Sequence, residues 1–94
     1  LELSDANKIT SNRESGFGRY DVMLEPFDKS KTAYILEFKV HNPRTEDSLE
    51  DTVSKALLQI DEKNYDAELI ADGFRKEQIC HFGFAFEGKH VLIG

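Results

Sequence analysis

Residues 33–40 constrain this chain more than any other stretch. Tyr34, Leu36, Phe38 and Val40 alternate with Ile35, Glu37, Lys39 and His41. That is the period of a β-strand, whose successive side chains point to opposite faces. One face is wholly apolar, whereas the other carries a carboxylate and an ammonium two residues apart. A strand this hydrophobic belongs in the middle of a sheet, so Glu37 and Lys39 are expected to be at least partly desolvated. Buried charge is costly unless it is paired or binds a metal. A place where a locally consistent sequence breaks its own pattern is therefore a candidate functional site.

The rest of the chain supplies neighbours for that strand. Lys8 to Glu14 reads as a weak, polar strand, with turn chemistry after it in Ser15-Gly16-Phe17-Gly18. Tyr20 to Glu25 is a second strand, stopped by Pro26, and Phe27 to Thr32 is a polar connection. Asn42-Pro43 closes the central strand. Ser48 and Asp51 form a capping box at the start of a helix that runs to about Lys63, with Asp47, Glu50 and Asp51 at the positive end of its dipole. Leu49, Val53, Ala56, Leu57 and Ile60 make its apolar stripe. A short helix from Tyr65 to Ala71 ends at Gly73. Ile79 to Phe86 is a fourth strand, and Glu87-Gly88-Lys89 turns into a fifth, His90 to Ile93. Three strands, helices and a terminal hairpin predict an α/β (α+β) domain with a mixed sheet and helical cover. Leu1 to Ser4 reads as the end of a helix whose beginning is missing, and the chain as a whole as a piece of a longer protein.

Composition narrows the function classes. With 94 residues, 39% hydrophobic and 32% charged, the chain has material for one modest core and reads as one globular domain, residues 1–94. No apolar run approaches a membrane span and no signal peptide is visible, so no membrane partner is expected. A lone cysteine, Cys80, excludes an internal disulfide and fits a cytoplasmic protein. The net charge of −6 argues against tight nonspecific duplex binding, yet it is unevenly spread. Residues 1–45 hold seven Lys/Arg and seven Asp/Glu, whereas residues 46–94 hold five and eleven and carry the whole excess.

The run Asn12-Arg13-Glu14-Ser15-Gly16-Phe17-Gly18-Arg19-Tyr20-Asp21, then Ile35-Leu36-Glu37-Phe38-Lys39, then Ala56-Leu57-Leu58-Gln59-Ile60 to Tyr65, and finally Phe82-Gly83-Phe84-Ala85-Phe86 span nearly the whole chain. Together they resemble the PD-(D/E)xK nuclease superfamily, and most closely the nuclease-like domain that follows an AAA-ATPase-like module in bacterial proteins. Tyr20 stands where the family name has proline. The resemblance implies a restriction-endonuclease-like fold, a mixed central β-sheet flanked by helices, with the N-terminal helix largely missing. It implies Asp21 and Glu37 as ligands of Mg²⁺ (or Mn²⁺), with the Phe38 backbone carbonyl as a third. Lys39 would position or help deprotonate the attacking water, and Gln59 would reach over from the helix to orient Lys39, the water or the substrate. Arg13, Arg19 and His41 are candidates for substrate contact. The implied substrate is nucleic acid, DNA ahead of RNA, and the implied partner is an AAA-ATPase-like module in the same full-length chain.

Each of these residues also has a plain structural reading. A bare Glu-x-Lys is usually an ion pair on a half-exposed strand, and Gln59 by itself a solvated helix residue. Glu14 is better explained by a salt bridge with Arg13 or Arg19 than as a further ligand, and Tyr65 by core packing. Glu46-Asp47 with Glu50-Asp51 reads as a charged helix start, and His81 and His90 as ordinary strand residues. The competing functional expectation is a catalytically inactive module that keeps the fold for an interaction or regulatory role beside an ATPase. Apolar surface left uncovered would favour a homodimer.

Overall fold

The strand with the strongest alternation, β3 (Ala33–Val40), lies third of five in a sheet whose strands follow chain order. A computed structural model describes residues 6–14 and 19–94, without the side chains of 12–14 and 19. The expected helix end at Leu1 to Ser4 and the turn Ser15 to Gly18 lie outside the described residues. Flanking β3 are β1 (Asn7–Glu14) and β2 (Arg19–Pro26) on one side, β4 (Ile79–Glu87) and β5 (His90–Ile93) on the other. β1, β2 and β3 pair antiparallel, as do β4 and β5. β3 and β4 run parallel, which makes the sheet mixed. A parallel pair needs a crossover, and here it consists of α1 (Leu49–Lys63), α2 (Tyr65–Ala71) and a 3-10 turn, Lys76–Gln78. This is the mixed sheet with helical cover expected of a restriction-endonuclease-like fold. The 3-10 turn was not foreseen, since three residues are too few for a periodic signal.

Local chemistry sets the helix ends. Ser48 Oγ accepts from the Asp51 amide at 3.2 Å, while Asp51 Oδ2 accepts from the Asp47 amide at 2.9 Å, one residue before the cap. At the other end Asn64 adopts φ 55° and separates α1 from α2, a left-handed position that asparagine tolerates well. Buried Gln78 donates from Nε2 to the Lys29 and Lys31 carbonyls at 2.7 and 3.0 Å. It thereby pins the polar connection between β2 and β3.

The helices cover the sheet face that carries the charged residues. The core is formed by Met23, Ala33 and Ile35 from the strands against Ile60, Leu69 and Phe74, with Leu57, Tyr65 and Ile79 packed beside it. Close approach of α1 depends on Gly83. A Cβ there would stand 3.0 Å from the Val53 carbonyl oxygen and 3.1 Å from Ala56 Cβ. The opposite face holds the apolar set read from the alternation. Tyr20, Phe38 and Phe84 stack in sequence with ring centroids 4.5 and 4.6 Å apart, and Tyr34, Val40, Phe82, Val91 and Ile93 are exposed beside them. Among the described residues, this face is far less covered than the one beneath α1.

Candidate active site

Register brings the two predicted carboxylates together. Asp21 on β2 pairs directly with Glu37 on β3, and directly opposed antiparallel residues have Cα atoms only about 5 Å apart. Asp21 is 2% exposed and Glu37 is fully buried beneath the helices. Two like charges so close in a dry setting repel, and a cation between them offsets both the repulsion and the lost hydration.

That cation comes from α1. Lys63 Nζ donates to Asp21 Oδ2 at 2.8 Å and lies 3.5 Å from Glu37 Oε1. The Tyr65 hydroxyl donates to the same Asp21 oxygen at 2.7 Å, and Lys63 Nζ sits 5.8 Å from the Tyr65 ring centroid. Tyr65 therefore combines the core packing read from the sequence with a polar role at the site. Lys63 was not singled out, because a lysine in the last turn of a helix reads as a complement to the dipole. A signal was present all the same. Val53, Ala56, Ile60 and Lys63 follow one another at spacings of three and four, so Lys63 continues the buried stripe.

Lys39 shares the face of Glu37, as its spacing requires, but its ammonium is bound to Glu46. Glu46 is the centre of a second buried polar group. Its Oε1 accepts from the Asn42 amide at 2.7 Å and from the Thr52 hydroxyl at 2.8 Å. His41 Nδ1 lies 2.7 Å from that hydroxyl, and Lys55 Nζ 3.7 Å from Glu46 Oε2. Burial works to raise the Glu46 carboxyl. The Asn42 amide, the Lys39 ammonium and the Thr52 hydroxyl outweigh it and hold the group at about 2. The reading of Glu46 as part of a charged helix start is thus corrected, for it is only 3% exposed. It precedes the N-cap in an irregular loop, where no periodicity marks burial. The one sequence signal was Lys39, a charge on a buried face that needs a partner.

The other predicted residues divide by position. Gln59 is half-buried one turn before Lys63 on α1. His41 is on the Glu37 face but turned into the Thr52–Glu46 group. The Phe38 carbonyl belongs to the β3 backbone between Glu37 and Lys39. The side chains of Arg13, Glu14 and Arg19 lie outside the described residues. His81 is more than a plain strand residue, since its Nε2 lies 2.6 Å from Asp66 Oδ1 and its Nδ1 3.8 Å from Asp61 Oδ1.

Asp21 and Glu37 suit a hard divalent cation. Mg²⁺ takes oxygen ligands, keeps several waters and is commonly held by one or two carboxylates. The Lys63 ammonium already stands in the position a cation would take. Among the described residues, no group of three or more His, Cys, Asp or Glu is placed to hold a metal. Among those residues, too, no helix is long and apolar enough to cross a membrane.

A family model described as the PD-(D/E)XK nuclease superfamily matches residues 1–94. Neither a curated protein nor a solved structure shows a match to the chain.

Proposed function

This chain belongs to the PD-(D/E)XK nuclease superfamily, and from that premise we propose that it is a metal-dependent nuclease domain, residues 1–94, that hydrolyses phosphodiester bonds in nucleic acid, DNA ahead of RNA. The observation that carries the proposal is the buried Asp21–Glu37 pair, directly opposed on adjacent strands with a cation bound between the carboxylates. Burying two opposed carboxylates is costly, and Met23 and Ile35 beside them on this same face are apolar.

Asp21 and Glu37 would hold Mg²⁺ or Mn²⁺, with the Phe38 carbonyl as a third ligand. When bound, such an ion supplies Lewis acidity to the scissile phosphate and offsets charge developing on its oxygens. The Tyr65 hydroxyl fixes the Asp21 carboxylate through its 2.7 Å hydrogen bond. Lys39, on the Glu37 face, is the residue proposed to orient the attacking water. In that role Glu46 sets the direction of its ammonium. Gln59 is proposed to orient substrate or water, and Arg13, Arg19 and His41 to contact substrate. The context is cytoplasmic, with an AAA-ATPase-like module in the same full-length chain. The exposed aromatic face is where a homodimer would form.

Two observations favour a second reading, a catalytically inactive module with an interaction or regulatory role. Lys39 is bound to Glu46, and the carboxylate pair holds an internal ammonium. Both features suit a site that never turns over. Cleavage assays of the full-length protein on single- and double-stranded DNA and RNA separate the two. They are run with Mg²⁺, Mn²⁺ or EDTA, beside Lys39→Ala. Metal-dependent cleavage lost in Lys39→Ala establishes the nuclease; no cleavage by a folded protein that binds metal establishes the inactive module.

A further inference from the structure

We propose that Lys63 is an internal counter-ion that holds the Asp21–Glu37 pair in the metal-free protein and is exchanged for the divalent cation when metal binds. The inference rests on the reading of that pair as the metal site and adds a competitor for it built into the chain.

Three features support the exchange. First, Lys63 Nζ contacts both carboxylates, at 2.8 Å to Asp21 Oδ2 and 3.5 Å to Glu37 Oε1. A Mg²⁺ ion on those oxygens would stand about 2.1 Å from each, so ion and ammonium compete for one space. Second, charge favours exchange over joint occupancy. Two carboxylates and one ammonium leave a single negative charge, whereas a divalent ion alone neutralises the pair. Third, Lys63 has a way out. It is the last residue of α1, directly before Asn64 at φ 55°, and its side chain is 17% exposed while the carboxylates it holds are at 3% and 0%. Its flexible four-carbon stem can carry the charge from the pair toward water without moving the helix.

Exchange has a definite thermodynamic signature. Metal binding must break an existing ion pair, so the internal ammonium weakens the apparent affinity and sets a threshold of metal concentration. Removing the charge while keeping the stem, in Lys63→Met, removes the competitor. The metal-free protein then carries two opposed carboxylates with no ammonium between them and loses stability, most of which metal restores.

The test is calorimetric titration of the full-length protein with Mn²⁺ and with Mg²⁺, in wild type, Lys63→Met, Lys63→Arg and Asp21→Asn, with Lys89→Met as a surface control. Lys63→Met is expected to bind Mn²⁺ about tenfold more tightly or better. Lys63→Arg and Lys89→Met should stay near wild type, and Asp21→Asn should lose binding. Thermal unfolding in EDTA should show Lys63→Met below wild type, with a larger rise in Tm on adding metal. NMR of the wild-type Lys63 Cε and Nζ resonances gives a readout independent of whether any variant folds. Mg²⁺ should move them toward the values of a solvated lysine. Metal binding that depends on Asp21 but is unchanged or weaker in Lys63→Met, or Lys63 resonances that stay put on Mg²⁺ saturation, overturns the exchange and leaves the metal site standing. No Asp21-dependent binding in either wild type or Lys63→Met overturns the exchange and the metal site together.

Discussion

Lys39 and Glu46 are joined across the loop that carries the chain from β3 into α1, while Lys63 reaches Glu37, the neighbour of Lys39 on the same strand face. Two buried carboxylate regions have an ammonium bound to them: Lys39 at Glu46, and Lys63 at Asp21 and Glu37. Both lysines are held by charges that come together only when α1 packs on the sheet.

Replacing Glu46 by Gln should therefore destabilise the fold by about 2–4 kcal/mol, because it leaves the Lys39 ammonium largely buried without its counter-charge. The same change at exposed Glu50 should stay within about 0.5 kcal/mol. Urea denaturation of the two variants at neutral pH checks the contrast. A Glu46→Gln loss no larger than that of Glu50→Gln would mean the buried pair contributes nothing.

Glu46 also makes stability sensitive to acid. Its folded value, about 2, lies below the ordinary 4.5, so the unfolded chain binds the proton first. The stabilisation is complete above pH 4.5 and is lost as pH falls through about 2. The full shift is equivalent to about 3 kcal/mol, an upper figure because solvent reaches the neighbouring lysines. Denaturation midpoints followed from pH 6 to pH 2 should fall steeply in wild type, with a shallower slope in Glu46→Gln.

Glu25 behaves in the opposite sense. Burial raises its carboxyl, and a hydrogen bond and charge repulsion from Asp72 add to the rise, against the pull of Lys8 and Lys29. A carboxyl raised on folding favours the folded state below the unfolded value and loses that contribution as pH climbs through the folded one. Glu25→Gln should then raise stability at neutral pH by about 0.5–1.5 kcal/mol, its amide donating to Asp72 without repulsion. Unfolding curves at pH 7.5 and pH 4 should show a gain at the higher pH that shrinks at the lower.

The fold and the site meet at Gly83, which pairs with Glu37 and admits α1 against the sheet. Gly83→Ala forces a Cβ to 3.0 Å from the Val53 carbonyl oxygen and should cost about 1–3 kcal/mol. The shift in α1 should also weaken the Lys63 contact to Asp21. Hydrogen exchange at the Val53 and Ala56 amides would report the disturbance, and protection equal to wild type would contradict it.

The exposed aromatic face predicts self-association. Sedimentation of the wild type should show a concentration-dependent dimer, and Val40→Lys should abolish it at a folding cost under about 1 kcal/mol, since Val40 is already 51% exposed. A wild type that sediments as a monomer throughout would remove the homodimer from the proposal.

Much of this protein was legible without coordinates. Alternation in β3 and β4, with turn and breaker residues between the others, located each strand to within a residue of its observed bounds, since side-chain direction and turn chemistry are local properties. The spacing of the α1 stripe and its Ser48 cap are equally local, and Glu37 and Lys39 declared a polar site by breaking their pattern. What the chain could not decide alone was partnership, because an ion pair depends on which elements meet in space. Thr52, an ordinary helix residue in sequence, lies fully buried beside Glu46, and Lys63 crosses from α1 to a carboxylate 42 residues earlier. The same holds for which sheet face became the core. The alternation on β3 does not say which face the helices cover, and α1 and α2 pack over Ala33, Ile35 and Glu37. On that face small Ala33, Gly83 and Ala85 admit a helix, whereas the stacked rings of Tyr20, Phe38 and Phe84 stand on the other. The amino-acid order set the strands, helices and charged positions; tertiary packing decided which charges meet, because only close approach in a dry interior makes their pairing compulsory.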